Sequence, residues 1–332
     1  MSDMQSKSAL VPLQAFEIDH QFVSYLEQSL CQVDPFTPLL QSDFFSEYPY
    51  VSWRIIRSIQ GGVMTNEVIK NTWRHRKKRH LYLKNLVHNT SILDLSRGAN
   101  FPACRIATFA LESLIMSTTP EAFGMKASSD MASRAVLKSL TMKVRRSPGV
   151  LDDVADGSVV RKALEQAEEV DFNCSHRSTQ AGRYHGLIGE YRLQQTLTNM
   201  GAHFATENEL SRMRDTYRTP DVLLLTPIVI RGATIHWIDS KAMFGTVSKH
   251  LSNFEQLQSY CNLFGPGAVV YWCGFDQAIL TDSKLVDDRI VVVDQIPQSS
   301  HICVPRLRRG VSFHGRVMVP LDEFKINRAD CL

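Results

Sequence analysis

The pattern between Gly182 and Val293 restricts the fold of this chain most. Helical periodicity runs from about Tyr184 to Met200 and stops at Gly201. After a long loop come two apolar segments, Val222–Leu225 and Ile228–Ile230, a turn at Arg231-Gly232-Ala233, and a strand-like stretch from Thr234 to Ala242. A second helix, from about Lys249 to Phe264, stops at Gly265-Pro266-Gly267, and apolar runs follow at Ala268–Cys273 and Ile290–Val293. Short apolar runs separated by helices predict strands covered on both faces. This half therefore reads as α/β.

The preceding half has a different grammar. From Val51 to about Arg146 the pattern is mainly helical. Ser91 is placed to cap a short helix carrying Ile92, Leu93 and Leu95. Gly98-Ala99-Asn100 supplies a turn, and Pro102 suits the first turn of a helix carrying Ile106, Phe109, Ala110 and Leu114. This is the outline of a helix-turn-helix, one that many helical hairpins share. Ser147-Pro148-Gly149 reads as a boundary and Val159 to Val170 as a linker helix. Nearer the start, Phe22, Leu26 and Leu30 have helical spacing, which Pro35 and Pro38 break. The expected organisation is an acidic segment over 1–50, a basic, helix-turn-helix-like domain over 51–148, a linker helix and loop over 149–181, and an α/β domain over 182–332.

Charge follows that division. Residues 1–50 carry a net −6, residues 51–150 a net +12, and residues 151–332 a net −3. The middle block is a candidate surface for a polyanion. Its densest stretch is Arg74-His75-Arg76-Lys77-Lys78-Arg79-His80, which suits a solvated helix face, an import signal or phosphate contacts. Arg74, Arg76, Lys77, Lys78, Arg79 and Arg105 are the candidate nucleic-acid contacts. Trp73, Tyr82 and Trp237 could stack bases, but aromatic side chains more often sit in a core.

Composition excludes other classes. With 44% apolar and 21% charged residues the chain is neither disordered nor collagenous. No apolar run is long enough for a membrane helix, and the first residues lack the layout of a secretory signal. Seven cysteines with no CxxC pair argue for a reducing compartment and against a structural zinc site. Neither a P-loop nor a GxGxxG is present.

Four residues point to chemistry. Asp239 and Lys241 lie two apart on an expected strand and so share a face, while Ser240 points the other way. Alone they would suit a surface ion pair. Asp221 follows Thr219-Pro220 and opens the preceding strand; Pro-Asp is also common in turns. If the two strands pair as a hairpin, both aspartates lie near one end of the sheet, where converging carboxylates need a cation. Glu190 takes a slot on the apolar stripe of Leu187, Leu193, Leu197 and Met200, where a carboxylate is costly unless paired or metal-bound. Oxygen ligands from Asp221, Asp239 and the Ser240 carbonyl, with Glu190 through a water or second ion, suit Mg²⁺ or Mn²⁺. With Lys241 beside the attacking water, the expected reaction is phosphodiester hydrolysis.

Glu190, Pro220-Asp221 and Asp239-Ser240-Lys241 resemble the PD-(D/E)xK nuclease superfamily. Gln256 and Tyr260 match a QxxxY helix motif of some members. They lie on one helix face, suited to holding the scissile strand or the lysine, or to a plain helix edge. Thr219-Pro220-Asp221, Trp237 to Ala242 with Phe244-Gly245, Phe264 to Gly267, and Tyr271-Trp272 are together similar to the TPD-motif family within it. That resemblance is specific over about Gly186–Phe275. It implies a restriction-endonuclease-like core of mixed sheet flanked by helices, metal-dependent nuclease activity with DNA as the favoured substrate, a nuclear and cytoplasmic location, and a codanin-like protein partner. Asp239 stands where vertebrate members carry Glu; the superfamily pattern accepts both. The competing expectation is a catalytically silent copy of the fold that binds DNA or a protein, and a weaker one is a helix-turn-helix regulator.

Overall fold

The computed structural model describes residues 17–32, 51–213, 218–298 and 300–302. The breaks expected at Pro35 and Pro38 lie outside them, as does most of the acidic segment. The described residues divide into two compact units, one over 21–185 and one over 186–302 with 17–20.

The first unit is helical. It comprises α1 (His20–Gln32), α2 (Trp53–Lys77), α3 (Arg79–Val87), α4 (Ile92–Ala99), α5 (Ala103–Ser117), α6 (Arg134–Arg146) and α7 (Gly157–Val170). Ser91 caps α4 as its sequence suggests: its Oγ accepts from the Asp94 N–H at 3.1 Å and donates to the Asp94 carboxylate at 2.6 Å. Asn100 ends α4 in the left-handed region at φ 45°, and Pro102 caps α5. Two helices with a turn between them are thus present, but α5 is the middle of the core. Ala103, Cys104, Ile106, Ala107, Phe109 and Ala110 are all buried there, so most of this helix is taken up by packing and is not available to enter a DNA groove.

Residues 149–181, expected as a linker, add to the same core. Leu151 is buried, and α7 buries Val160, Ala163, Leu164 and Ala167 against α5. An apolar stripe at helical spacing looks the same in a spacer and in a packed helix, because it does not say what lies opposite.

The second unit is a mixed sheet flanked by helices, the class expected. Helix α8 (His176–Asn199) leads to β2 (Phe204–Thr206), α9 (Glu207–Met213), β3 (Val222–Ile230), β4 (Ala233–Lys241), α10 (Val247–Phe264), β5 (Gly267–Tyr271), β6 (Phe275–Asp276), α11 (Ala278–Thr281), β7 (Ile290–Val293) and β8 (His301–Ile302). The strand order is β2-β3-β4-β5-β7, with β8 also on β3; the first part is antiparallel and β4-β5-β7 is parallel. A short strand β1 (Glu17–Ile18) pairs parallel with β6. Leu193 and Leu197 of α8 cover one face of the sheet, and Leu257, Tyr260 and Cys261 of α10 the other.

Strand β3 is continuous where two segments were expected. Pro227 has no N–H for the ladder, and the register shifts between Leu223 and Ile228 while the chain stays extended. Arg231 (φ 50°) and Gly232 (φ 80°) form the β3–β4 turn, and positive φ at both positions matches the twist of a two-residue hairpin. The parallel step from β4 to β5 needs a crossover, which α10 supplies. Thr246 caps that helix, accepting from the Lys249 N–H at 3.3 Å. Among the described residues no helix is long and apolar enough to cross a membrane.

Candidate active site

The hairpin places the acids. β3 and β4 pair with Val222 opposite Ile238. One step further in that register puts Asp221 opposite Asp239, at the rim where β3 begins and β4 ends. The Ser240 N–H donates to Asp221 Oδ2 at 2.6 Å, closing the rim. The N–H and C=O of one strand residue face the same edge, so the Ser240 carbonyl looks into the same gap. Lys241 alternates back to the side of Asp239, and its Nζ lies 2.6 Å from Asp239 Oδ2. Asp239 is only 2% exposed, and Lys241 is the cation that faces its buried Oδ2.

Glu190 arrives on α8. Leu193 and Leu197 are buried as expected, but Leu187 is 62% exposed, which corrects its place on the core stripe. Glu190 therefore sits where the stripe leaves the core, half-buried and within electrostatic reach of Asp239 and Lys241. Gly189 beside it allows the approach. A Cβ there would lie 2.9 Å from the Trp272 ring and 3.1 Å from Ser240 Oγ. Trp272 Nε1 donates to that Oγ at 2.8 Å, and Arg192 stacks over the Trp272 ring at 4.9 Å. Ser240 thus ties β4 to Asp221 through its backbone and to Trp272 through its side chain.

Sequence reasoning missed Gly189 and Glu207, and had Trp272 only as part of the family string, without a place at the site. Glu207 opens α9, and its N–H donates to the Asp221 carbonyl at 3.1 Å. Its carboxylate acts electrostatically on Glu190 and Lys241. Glu207 lies in the stretch that read as a long loop, where nothing in the sequence marks one acid above another.

The Gln256 and Tyr260 side chains meet each other, but they close on Thr219 rather than on Lys241. Gln256 Nε2 donates to Tyr260 Oη at 2.5 Å, and Tyr260 Oη donates to the Thr219 carbonyl at 2.8 Å. They anchor the chain two residues before Asp221. His250 is fully buried with Nδ1 3.0 Å from the Tyr271 hydroxyl, so its role is structural.

The electrostatics are those of crowded acids. Burial, followed by the charge of Asp239, pushes Asp221 up to about 7. Burial raises Asp239 against the pull of Lys241, and burial with Glu207 and Asp239 raises Glu190. Burial works against charge on Lys241, but Asp239, Asp221 and Glu207 outweigh it and raise its pKa. A hard cation would relieve the repulsion, and the donors present are all oxygens, which suits Mg²⁺ or Mn²⁺. Among the described residues no three His, Cys, Asp or Glu side chains are already drawn together as a metal cluster.

The basic candidates lie in the helical unit. Arg76 is committed to Glu112 by two hydrogen bonds of 3.2 Å. Arg105 is exposed on α5, and its charge acts on the Cys174 thiol, lowering its pKa against the larger effect of burial. Among the described residues, Arg74, Lys77, Lys78 and Arg79 form no ion pair. Arg74 and Lys77 lie over the Trp73 ring at 5.5 and 4.9 Å.

Residues 156–296 match the family described as "Protein of unknown function TPD sequence-motif". They form a TPD segment. Every acid of the rim, with Lys241, Gln256 and Tyr260, falls inside the TPD segment, and the basic run at Arg74–Arg79 falls outside it. The chain is 36% identical over 158 residues to "CDAN1-interacting nuclease 1" of Danio rerio, covering 47% of this chain and 49% of that protein. It is 31% identical over 187 residues to the protein of the same name from Xenopus tropicalis, covering 55% of each. The Homo sapiens protein of that name is 42% identical over 91 residues, covering 27% of this chain and 32% of its own length. The chain spans about half the length of the first two of these curated relatives. No solved structure matches it.

Proposed function

We propose that the TPD segment is a divalent-metal-dependent phosphodiesterase of the PD-(D/E)xK type, acting on nucleic acid with DNA favoured, and that the basic helical unit holds the substrate. The observation that carries this reading is Asp239: a buried carboxylate opposite Asp221 at the sheet rim, with the Lys241 ammonium 2.6 Å from its Oδ2. The relatives, named as nucleases, support it.

Asp221, Asp239 and the Ser240 carbonyl would hold Mg²⁺ or Mn²⁺, with Glu190 reaching it through water. The ion supplies a bound water of lowered pKa and charge stabilisation at a phosphoryl oxygen. Lys241, released from Asp239, would orient the attacking water and face the charge growing on the phosphate. Gln256 and Tyr260 fix Thr219 and through it the entry of Asp221 into β3. Asp239→Asn and Lys241→Met should each lower Mg²⁺- or Mn²⁺-dependent cleavage of a DNA and RNA panel by roughly a thousandfold or more while sparing nucleic-acid affinity. If the wild-type chain neither cuts any substrate on that panel nor binds Mn²⁺ by calorimetry, the proposal is wrong.

One observation favours a second reading, a silent module that binds DNA or protein. Lys241 already neutralises Asp239, and the three carboxylates are not drawn together. The same calorimetry separates the two. We further propose a codanin-like partner, after the relatives' name, and, from the family resemblance alone, a nuclear and cytoplasmic location.

A further inference from the structure

Of the three aromatic residues weighed as base platforms, two are core: Trp237 is 0% and Tyr82 7% exposed. Trp73 is 55% exposed. It stands near the end of α2 in a surface recess of about 570 Å³ that includes Ile69, Lys77, Arg79 and His80. That volume is in the range of ~300–1,000 Å³ typical of small-ligand sites. Among the described residues no acidic side chain lines the recess, and the nearby carboxylate of Glu112 is already bound by Arg76. Arg74, Lys77, Lys78 and Arg79 have no ion-pair partner among the described residues.

A flat apolar ring among unpaired cations needs a ligand that is both anionic and able to stack. We propose that this recess holds an unpaired base of single-stranded nucleic acid, stacked on the Trp73 indole, with the neighbouring phosphates on Lys77, Lys78 and Arg79. The inference rests on the reading that the helical unit holds the substrate, and it adds the strandedness of what is held. Base faces in a duplex are covered by their neighbours, so only an unpaired base can lie on the ring. Lys77, exposed and now over the indole, moves from the ring to a phosphate when the base arrives. An apolar protein ligand would use Ile69 and Trp73 but leave these cations uncompensated.

The test is fluorescence anisotropy on the full chain in EDTA, with labelled oligo-dT of about 15 nucleotides and a duplex of the same length. Trp73→Ala should weaken oligo-dT binding about tenfold and duplex binding by less than about twofold. Trp73→Phe should recover part of the loss, and Lys77→Gln should lower the salt slope by about one. Trp73 lies outside the core, so circular dichroism should be unchanged. Equal losses on both probes, no loss on either, no binding by the wild-type chain, or displacement of oligo-dT by poly-glutamate at equal charge would each overturn the inference. Chelated metal keeps the test apart from cleavage: these failures would leave the catalytic proposal standing, and a chain that never cuts could still pass.

Discussion

Ser240 donates its backbone N–H to Asp221 Oδ2 over 2.6 Å, at the point where β3 has not yet begun and β4 has only β5 beside it. The carboxylate takes the place of the missing strand. Asp221→Ala removes that acceptor together with the charge, while Asp221→Asn retains an oxygen for it. Both variants should lose Mn²⁺ binding in calorimetry. Only the alanine variant should also lose stability, by about 1–3 kcal/mol in urea unfolding.

Tyr260 acts on Asp221 at one remove. Tyr260→Phe keeps the packing against Trp237 but deletes the bond to the Thr219 carbonyl. The expected cost is about 1 kcal/mol of stability with a fall in kcat of roughly tenfold. Oligonucleotide affinity should be unchanged. A variant with full kcat would show that the Thr219 anchor does not govern the rim.

Gly189 is a close-approach glycine. The added methyl of Gly189→Ala meets the Trp272 ring at 2.9 Å and should destabilise the chain by about 1–3 kcal/mol. Adding Trp272→Phe opens space and should recover part of that loss, so the two changes should be non-additive in thermal unfolding.

Arg76 differs from its neighbours in the basic run. Its partner Glu112 is mostly buried and Arg76 itself half-exposed, so Arg76→Gln should cost about 1 kcal/mol of stability, reduced by solvent screening. The salt dependence of DNA binding should change less than with Lys78→Gln. Salt titrations on both variants check this.

His250 gives the chain an acid limit. Burial holds it down to about 4 against an ordinary 6.5. The unfolded chain therefore takes up a proton at a higher pH than the folded one. Stability should be unaffected above about 6.5 and should fall as the pH drops toward 4, by up to roughly 3 kcal/mol. His250→Asn should flatten that part of the melting-temperature profile.

How much of the site was legible depended on the distance over which each relationship acts. Asp239 and Lys241 share a face because a strand alternates with period two, and Asp221 reaches them because the Arg231-Gly232 turn makes the hairpin local. Gln256 and Tyr260 meet because they are four apart on a helix, but that spacing does not say that Thr219 lies beneath them. Leu187 was misplaced for the same reason: helical periodicity identifies a stripe without saying how far the sheet extends under it.

Local rules within the chain thus fix the hairpin, the capped helices and the charge blocks, since each depends on residues a few positions apart. Folding alone chose which side chains from distant segments share the rim. Glu207 reaches Asp221 through the pairing of β2 with β3, and Trp272 reaches Ser240 through the parallel step across α10. Those contacts depend on strand order and register, to which each added element contributes a choice that no short stretch of sequence encodes.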